Sequence, residues 1–259
     1  MTTLPDDLTD DLRTLAMVNY GHFTSMRVDG GRVRGLGLHL ERLDRDAREV
    51  FGRGLDADLV RARVREAVEG RDGPLYAKVN VFARDLDPDV DEHEPSLLVT
   101  VRPLPARAGS PLRVGTVAYE RDLPQVKHVG TFGLFHQSRL ARRRGFDDAL
   151  FVNRDGEISE GSAWNVGFLD GDTVVWPSAP ALPGVAMHLL RDALTARGVP
   201  VETRPVTPAD LPRFRAAFAS NALAPVQVLG SVDDVRFPGD EAVARLLAEA
   251  YEEIPGEVL

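Results

Sequence analysis

Three places in this sequence carry side chains or backbone that could do chemistry. The first is Lys127, in Gln125-Val126-Lys127-His128, ahead of an Arg-rich stretch that ends at Gly145. The second is Glu160, in Glu157-Ile158-Ser159-Glu160-Gly161-Ser162-Ala163-Trp164-Asn165-Val166, just after an Asp155-Gly156 turn. The third is Leu182-Pro183-Gly184-Val185-Ala186, which opens a helix. A primary amine attacks carbonyls through a Schiff base. A carboxylate keeps a ring nitrogen protonated, and free N–H groups at a helix N-terminus bind phosphate. An amine, an acid and an anion cradle are the parts needed to hold a phosphorylated aldehyde ring, of which pyridoxal phosphate is the commonest. Each part also has an ordinary reading: a surface lysine, an exposed strand residue and a plain helix start.

The elements that must position these residues are legible from periodicity and turn signals. Residues 8–20 suit a short helix, and Phe23 to Val28 a strand that turns at Asp29-Gly30-Gly31 into a second strand over Val33 to Leu38. Leu40, Leu43, Ala47, Val50 and Phe51 recur at helical spacing, with Arg42 and Arg45 off that stripe. Arg42 is therefore either a surface residue or an anion ligand. Asp56 reads as an N-cap of a helix carrying Val60, Val64, Ala67 and Val68. Leu75 to Arg84 and Leu97 to Arg102 read as strands, with an exposed acidic loop over Asp85 to Glu94.

Three prolines and a glycine over Pro103 to Pro111 mark a linker. This predicts a small N-terminal domain over 1–105, a linker at 106–111, and a larger C-terminal domain over 112–259 that carries Lys127. Beyond the linker come a strand over 112–119 and a helix over 132–144. Hairpins follow across Asp155-Gly156 and Asp170-Gly171. A helix has Pro183 at its first position and ends near Gly198. Val199 to Arg204 reads as an edge strand because of Pro200. Strands over 216–220 and 226–229 precede a closing helix with Val243, Leu246, Leu247, Ala250, Tyr251 and Ile254 as its stripe. Helices and hairpins mixed in this way predict an α+β fold.

Composition excludes several classes. A net charge of −9 argues against nucleic-acid or anionic-membrane partners. The absence of cysteine removes disulfides, thiolate zinc sites and a Cys nucleophile, and no metal is expected. The acidic start, Met1-Thr2-Thr3-Leu4-Pro5-Asp6-Asp7, lacks the features of a signal peptide, and no apolar run approaches the ~20 residues of a membrane span. A soluble, cytoplasmic protein is the expectation. The phosphate-loop and dinucleotide glycine motifs are missing.

The order of several blocks resembles the fold-type IV pyridoxal-phosphate enzymes, which include branched-chain and D-amino-acid aminotransferases and aminodeoxychorismate lyase. Phe23-Thr24-Ser25-Met26-Arg27-Val28 looks like the family's early strand, and His39-Leu40-Glu41-Arg42-Leu43 like its His-Leu-x-Arg-Leu helix. Asp155 to Val166 looks like its Gly-x-x-x-Glu-x-x-x-x-Asn block, and Leu182-Pro183-Gly184-Val185 like its Leu-Pro-Gly-Ile/Val block. Ser220-Asn221-Ala222-Leu223-Ala224-Pro225-Val226 looks like its late phosphate-side turn. The resemblance covers roughly residues 20 to 235. Thr24 stands where the family usually has Glu, and Ala186 where it often has Thr or Ser.

What the resemblance implies is specific. Lys127 would form the Schiff base and move the substrate proton. Glu160 would pair with the pyridine nitrogen. Arg42, Val185, Ala186, Ser220, Asn221 and Ala222 would hold the phosphate, and Phe23 would lie near the substrate. Arg27, Arg84 and Arg102 are candidates for the substrate carboxylate. The implied reaction is transfer of an amino group between an amino acid and a 2-oxo acid. A pyruvate-releasing lyase and a non-catalytic family member are the alternatives. The family also implies a homodimer, with the site between the two domains.

Overall fold

The computed structural model describes residues 6–87, 89–105, 110–237 and 241–259. Most of the expected linker, residues 106–109, lies outside them. In chain order the elements are α1 (Asp6–Met17), β1 (His22–Val28), β2 (Arg32–Arg34), α2 (Leu36–Phe51), α3 (Ala57–Val68), β3 (Leu75–Ala83) and β4 (Pro95–Pro103). Then come β5 (Leu112–Ala118), α4 (Phe132–Arg143), β6 (Asp148–Val152), β7 (Ile158–Gly161), β8 (Asn165–Asp170), β9 (Thr173–Pro177) and α5 (Val185–Ala196). The chain ends with β10 (Val201–Arg204), a 3-10 turn (Pro208–Arg213), β11 (Ala216–Asn221), β12 (Ala224–Val232), β13 (Val235–Arg236), α6 (Glu241–Glu252) and β14 (Gly256–Val258). The fold is α+β, as expected.

Two compact units emerge. One comprises Met1–Pro105, Val126–Gly130 and Gly256–Leu259; the other Ala106–Gln125 and Thr131–Pro255. In the first unit, β1, β3 and β4 form an antiparallel sheet in the order β1-β3-β4. Along β1, buried and half-buried residues alternate, because one face of the sheet covers α2 and α3 and the other is less completely buried. Met26, Val28, Ala77, Val79 and Val81 on the covered face pack with Leu36, Leu43, Ala47 and Phe51 of α2 and Val60 and Val64 of α3. Asp56 caps α3, its carboxylate accepting from the N–H groups of Asp58 (2.8 Å) and Leu59 (3.3 Å).

Two expectations change here. The strand predicted over Val33 to Leu38 is only Arg32–Arg34. Gly35 takes a left-handed conformation (φ +69°) that a residue with a Cβ disfavours, and it turns the chain directly into α2. The Asp29-Gly30-Gly31 turn does form, with Asp29 and Arg32 exchanging backbone hydrogen bonds. Its second strand, however, pairs with β14. The other change concerns Lys127, expected in the C-terminal domain. The segment Val126–Gly130 instead groups with the first unit. Phe23 N–H donates to Lys127 O (2.9 Å) and Val129 N–H to Gly21 O (2.9 Å), so the segment completes the free edge of β1.

The second unit is built on one mixed sheet. Strands β8-β11-β12-β5-β6-β7 follow in order and β7 pairs back with β8, so this part of the sheet closes into a ring; β9 and β10 extend it from β8. β5 runs parallel to both β12 and β6, while the predicted hairpins β6–β7 and β8–β9 are antiparallel. β10 lies at the end of the strand order, as Pro200 implied. Val114, Leu150, Ile158, Val166, Phe168 and Leu229 belong to the main apolar cluster. A second cluster packs α5 and α6 through Leu190, Leu194, Val243 and Leu247. Among the described residues no helix is long and apolar enough to cross a membrane.

Candidate active site

In the first unit, the face of the sheet turned away from α2 carries Lys127 and a second amine. Lys127 Nζ lies 4.8 Å from the centre of the Phe23 ring, and Lys78 Nζ lies 4.2 Å from the same ring. The register explains this. β3 sets Lys78 opposite Ser25, two residues along β1 from Phe23, so the side chains share a face. Ser25 Oγ and Tyr76 Oη continue that face, 3.1 Å apart. Burial pushes the Lys78 ammonium below its usual pKa, and among the described residues it has no carboxylate partner.

The opposite face of β1 meets α2 in a buried polar cluster. Arg42, only 6% exposed, donates from Nη2 to Thr24 Oγ1. Thr24 Oγ1 lies 2.7 Å from His39 Nδ1. His39 is held far below its ordinary pKa by burial first, then by the charges of Arg42 and Lys127. A neutral His39 accepts the Thr24 proton at Nδ1, which leaves the Thr24 oxygen free to accept from Arg42. Thr24 thus orients the arginine without adding a charge. The carboxylate of Asp46, one helical turn beyond Arg42, accepts the backbone N–H of Lys127 at 3.0 Å.

Of the arginines proposed for substrate, Arg27 pairs with Asp29 (2.6 Å) and Arg84 with Asp11 (2.7 Å). Arg102 stacks over the Tyr76 ring, 4.6 Å from its centre.

In the second unit, three neighbouring strands line up one row of polar side chains. Glu160 of β7 is opposite Asn165 of β8, and Asn165 is opposite Ser220 of β11. Residues directly opposite one another project to the same side of a sheet. Glu160 and Arg121 form an ion pair at 3.4 Å with side chains 7% and 5% exposed. Glu160 also accepts the backbone N–H of Leu182 (3.3 Å), while Asn165 Nδ2 donates to Leu182 O (2.7 Å). These contacts tie down the loop that leads into α5. The helix begins at Val185, after Gly184, two residues later than Pro183 suggested. A Cβ on Gly184 would lie 2.0 Å from Asn165 Oδ1, so only glycine lets the helix start approach the row. Asn221 Oδ1 accepts from the N–H groups of Leu223 (3.0 Å) and Ala224 (2.8 Å), folding the 220–224 turn.

Sequence reasoning named Lys127, Glu160, Arg42 and Gly184 but missed Arg121, Lys78 and Asp46, and gave Asn165 no role. Arg121 sits in the charged run Glu120-Arg121-Asp122, where nothing local separates a buried arginine from a solvated one. The hairpin register could have brought Asn165 beside Glu160.

The second unit thus carries a buried acid on a ring-closed mixed sheet, and the first carries a lysine at a sheet edge. The model of the class IV amino-transferase family matches residues 21–231, and the chain belongs to that family. No curated protein matches its sequence. Among solved structures, a fold IV transaminase from Curtobacterium pusillum is 26% identical, with a TM-score of 0.79 over 92% of this chain and 85% of that one. A Legionella pneumophila protein provisionally described as 4-amino-4-deoxychorismate lyase is 18% identical, with a TM-score of 0.84 over 98% and 96% of the two chains. A hypothetical aminotransferase from Mycobacterium tuberculosis, in its pyridoxal-phosphate-bound form, is 22% identical, with a TM-score of 0.81 over 97% and 93%. The last two likenesses speak for the fold.

Pyridoxal phosphate is the cofactor of this family, and the residues present fit it. Ser220 Oγ is fully buried and, among the described residues, has no hydrogen-bond partner. The first turn of α5 has no side-chain cap on its N–H groups. An anionic phosphate ester satisfies both needs. The Ala186 methyl belongs to the apolar cluster under α5, so this residue offers its backbone N–H alone.

Proposed function

We propose that this protein is a pyridoxal-phosphate-dependent aminotransferase that moves an amino group between an amino acid and a 2-oxo acid. The observation that carries the reading is the pair of amines on Phe23, Lys127 at 4.8 Å and Lys78 at 4.2 Å. One amine does the chemistry; the other is a cation on the same sheet face for a substrate carboxylate. Both substrates of a transamination bear that carboxylate, which is the demand Lys78 meets.

Bound, the cofactor supplies an aldehyde carbon for an amine and a ring that takes up electron density from the substrate α-carbon. Lys127 Nζ is the nucleophile and the base that carries the α-carbon proton. Glu160, its charge offset by Arg121 and its position fixed by Leu182 N–H, holds a proton at the ring nitrogen. Arg42, the N–H groups of Val185 and Ala186, and Ser220 with the backbone of Asn221 and Ala222 bind the phosphate. Arg42 does so through charge-assisted bonds. Phe23 is a wall of the substrate site. Arg27, Arg84 and Arg102, held by Asp29, Asp11 and Tyr76, give up the carboxylate to Lys78.

The test is spectroscopic. The purified protein should be yellow, lose its visible band with borohydride, and then carry a phosphopyridoxyl mass on the peptide containing Lys127. Adding the right amino acid should convert the cofactor to its amine form, and Lys78→Gln should raise KM for the oxo acid at least tenfold with a smaller fall in kcat. No label at Lys127, or no amine form with any amino acid, sinks the reading. The Asn221-Ala222-Leu223-x-Pro225 turn favours a second reading, a lyase that releases pyruvate. Release of pyruvate without any oxo-acid acceptor would decide for it.

A further inference from the structure

We propose that Asp46 is a positioning residue that sets the place of Lys127 and couples it to Arg42. This rests on the reading of Lys127 as the nucleophile. The Asp46 carboxylate is fully buried. Oδ2 accepts the Lys127 backbone N–H at 3.0 Å. Oδ1 accepts from Arg45 Nη2 (2.6 Å) and Nε (3.1 Å), and the Arg45 side chain is half exposed. A buried carboxylate is expensive unless its charge is met. Here Arg45 meets it from the rim, which leaves the inner oxygen for one backbone N–H.

That N–H has a particular need. The segment around Lys127 is bonded to β1 through Lys127 O and Val129 N–H. In a regular antiparallel ladder the Lys127 N–H would return to Phe23, the residue whose N–H Lys127 O accepts; here it donates to Asp46 instead. Asp46 takes the place of that ladder acceptor, 81 residues away in sequence. Being charged, it forms a stronger bond than a neutral acceptor would.

The bond closes a circuit. Asp46 holds Lys127 N–H, Lys127 O accepts from Phe23 N–H, Thr24 follows Phe23 in the chain, and Thr24 Oγ1 accepts from Arg42. Arg42 then lies one turn from Asp46 on α2. The lysine and the arginine cannot shift independently without breaking a link.

The test separates this role from general stabilisation. Amide hydrogen exchange is read on cofactor-free protein for wild type, Asp46→Ala and Asp46→Asn. In Asp46→Ala, exchange at the Lys127 amide should rise at least tenfold more than at the Phe23 and Val129 amides, which are bonded elsewhere. The rate of borohydride-fixable pyridoxal phosphate uptake at Lys127 should fall at least tenfold. Asp46→Asn, which keeps an acceptor oxygen, should restore much of both. Equal exchange changes at all three amides, or normal exchange and uptake in Asp46→Ala, would overturn the proposal. If even wild type takes up no cofactor, the reading of Lys127 falls, while the exchange data still report whether Asp46 holds its backbone.

Discussion

At the scale of single residues, the structure separates buried groups that have found a charge from those that have not. Arg121 and Glu160 meet each other with little exposure. Breaking such a pair leaves an uncompensated buried charge, so Arg121→Met should cost about 3 kcal/mol of stability in denaturant unfolding. It should also weaken cofactor retention. His22 is the contrasting case. It is fully buried, neither ring nitrogen has a hydrogen-bond partner among the described residues, and burial, then Arg42 and Arg45, push its pKa down to about 3. The unfolded chain therefore binds a proton here that the folded chain refuses between pH 6.5 and about 3. Stability should fall as pH drops through that window, by about 1.4 kcal/mol per pH unit from this group. His39, shifted the same way, adds to the slope. His22 packs against the Phe51 ring, so His22→Phe should keep the packing and flatten the acid limb. Urea unfolding at pH 7 and pH 4.5 should show wild type losing about 3 kcal/mol more than the variant. Little of this was legible in the sequence. Lys127 and Glu160 stood out because family order singled them out, whereas a histidine or an arginine carries no local mark of its burial.

At the scale of elements, the sequence read best where a rule acts over a few residues. The Asp56 cap, the Asp155-Gly156 and Asp170-Gly171 turns and the α2 stripe all rest on contacts within one turn of helix or one hairpin. Asp56→Ala should cost about 1 kcal/mol, read as a lower unfolding midpoint. The reading failed over Val33 to Leu38, where apolar residues alternate with glycine and mimic a strand. The left-handed Gly35 outweighs that alternation by starting α2. Gly184 shows a different limit. Its φ of −72° suits any residue, so the reason for glycine is not conformational. It is the amide of Asn165, 2.0 Å from where a Cβ would be. Gly184→Ala should push Asn165 off Leu182 O and loosen the loop that Glu160 holds. A fluorescence titration should then show the half-saturating pyridoxal phosphate concentration rising at least tenfold, with the melting temperature falling by only a few degrees.

At the scale of the whole molecule, chain order and compact unit diverge. The last residues return to the first unit: β14 pairs with β2, Leu259 is 4% exposed within its apolar core, and Arg65 donates to Leu259 O at 2.6 and 2.9 Å. Leu259→Ala should cost about 2–4 kcal/mol, and hydrogen exchange should locate the loss in α2, α3 and β1–β4. By itself the sequence determined the α+β class and the order of the helices and hairpins, and the family resemblance singled out Lys127, Glu160 and the helix start at Gly184 as candidates. Those follow from propensity, periodicity and motif order, which act over short stretches of chain. Only the tertiary structure decided that Lys127 joins the first unit, that Lys78 shares its aromatic ring, that Asp46 holds its backbone and that Arg121 faces Glu160. Each of these is fixed by strand register and burial between residues dozens of positions apart, and no local pattern encodes which distant partner a buried charge will meet.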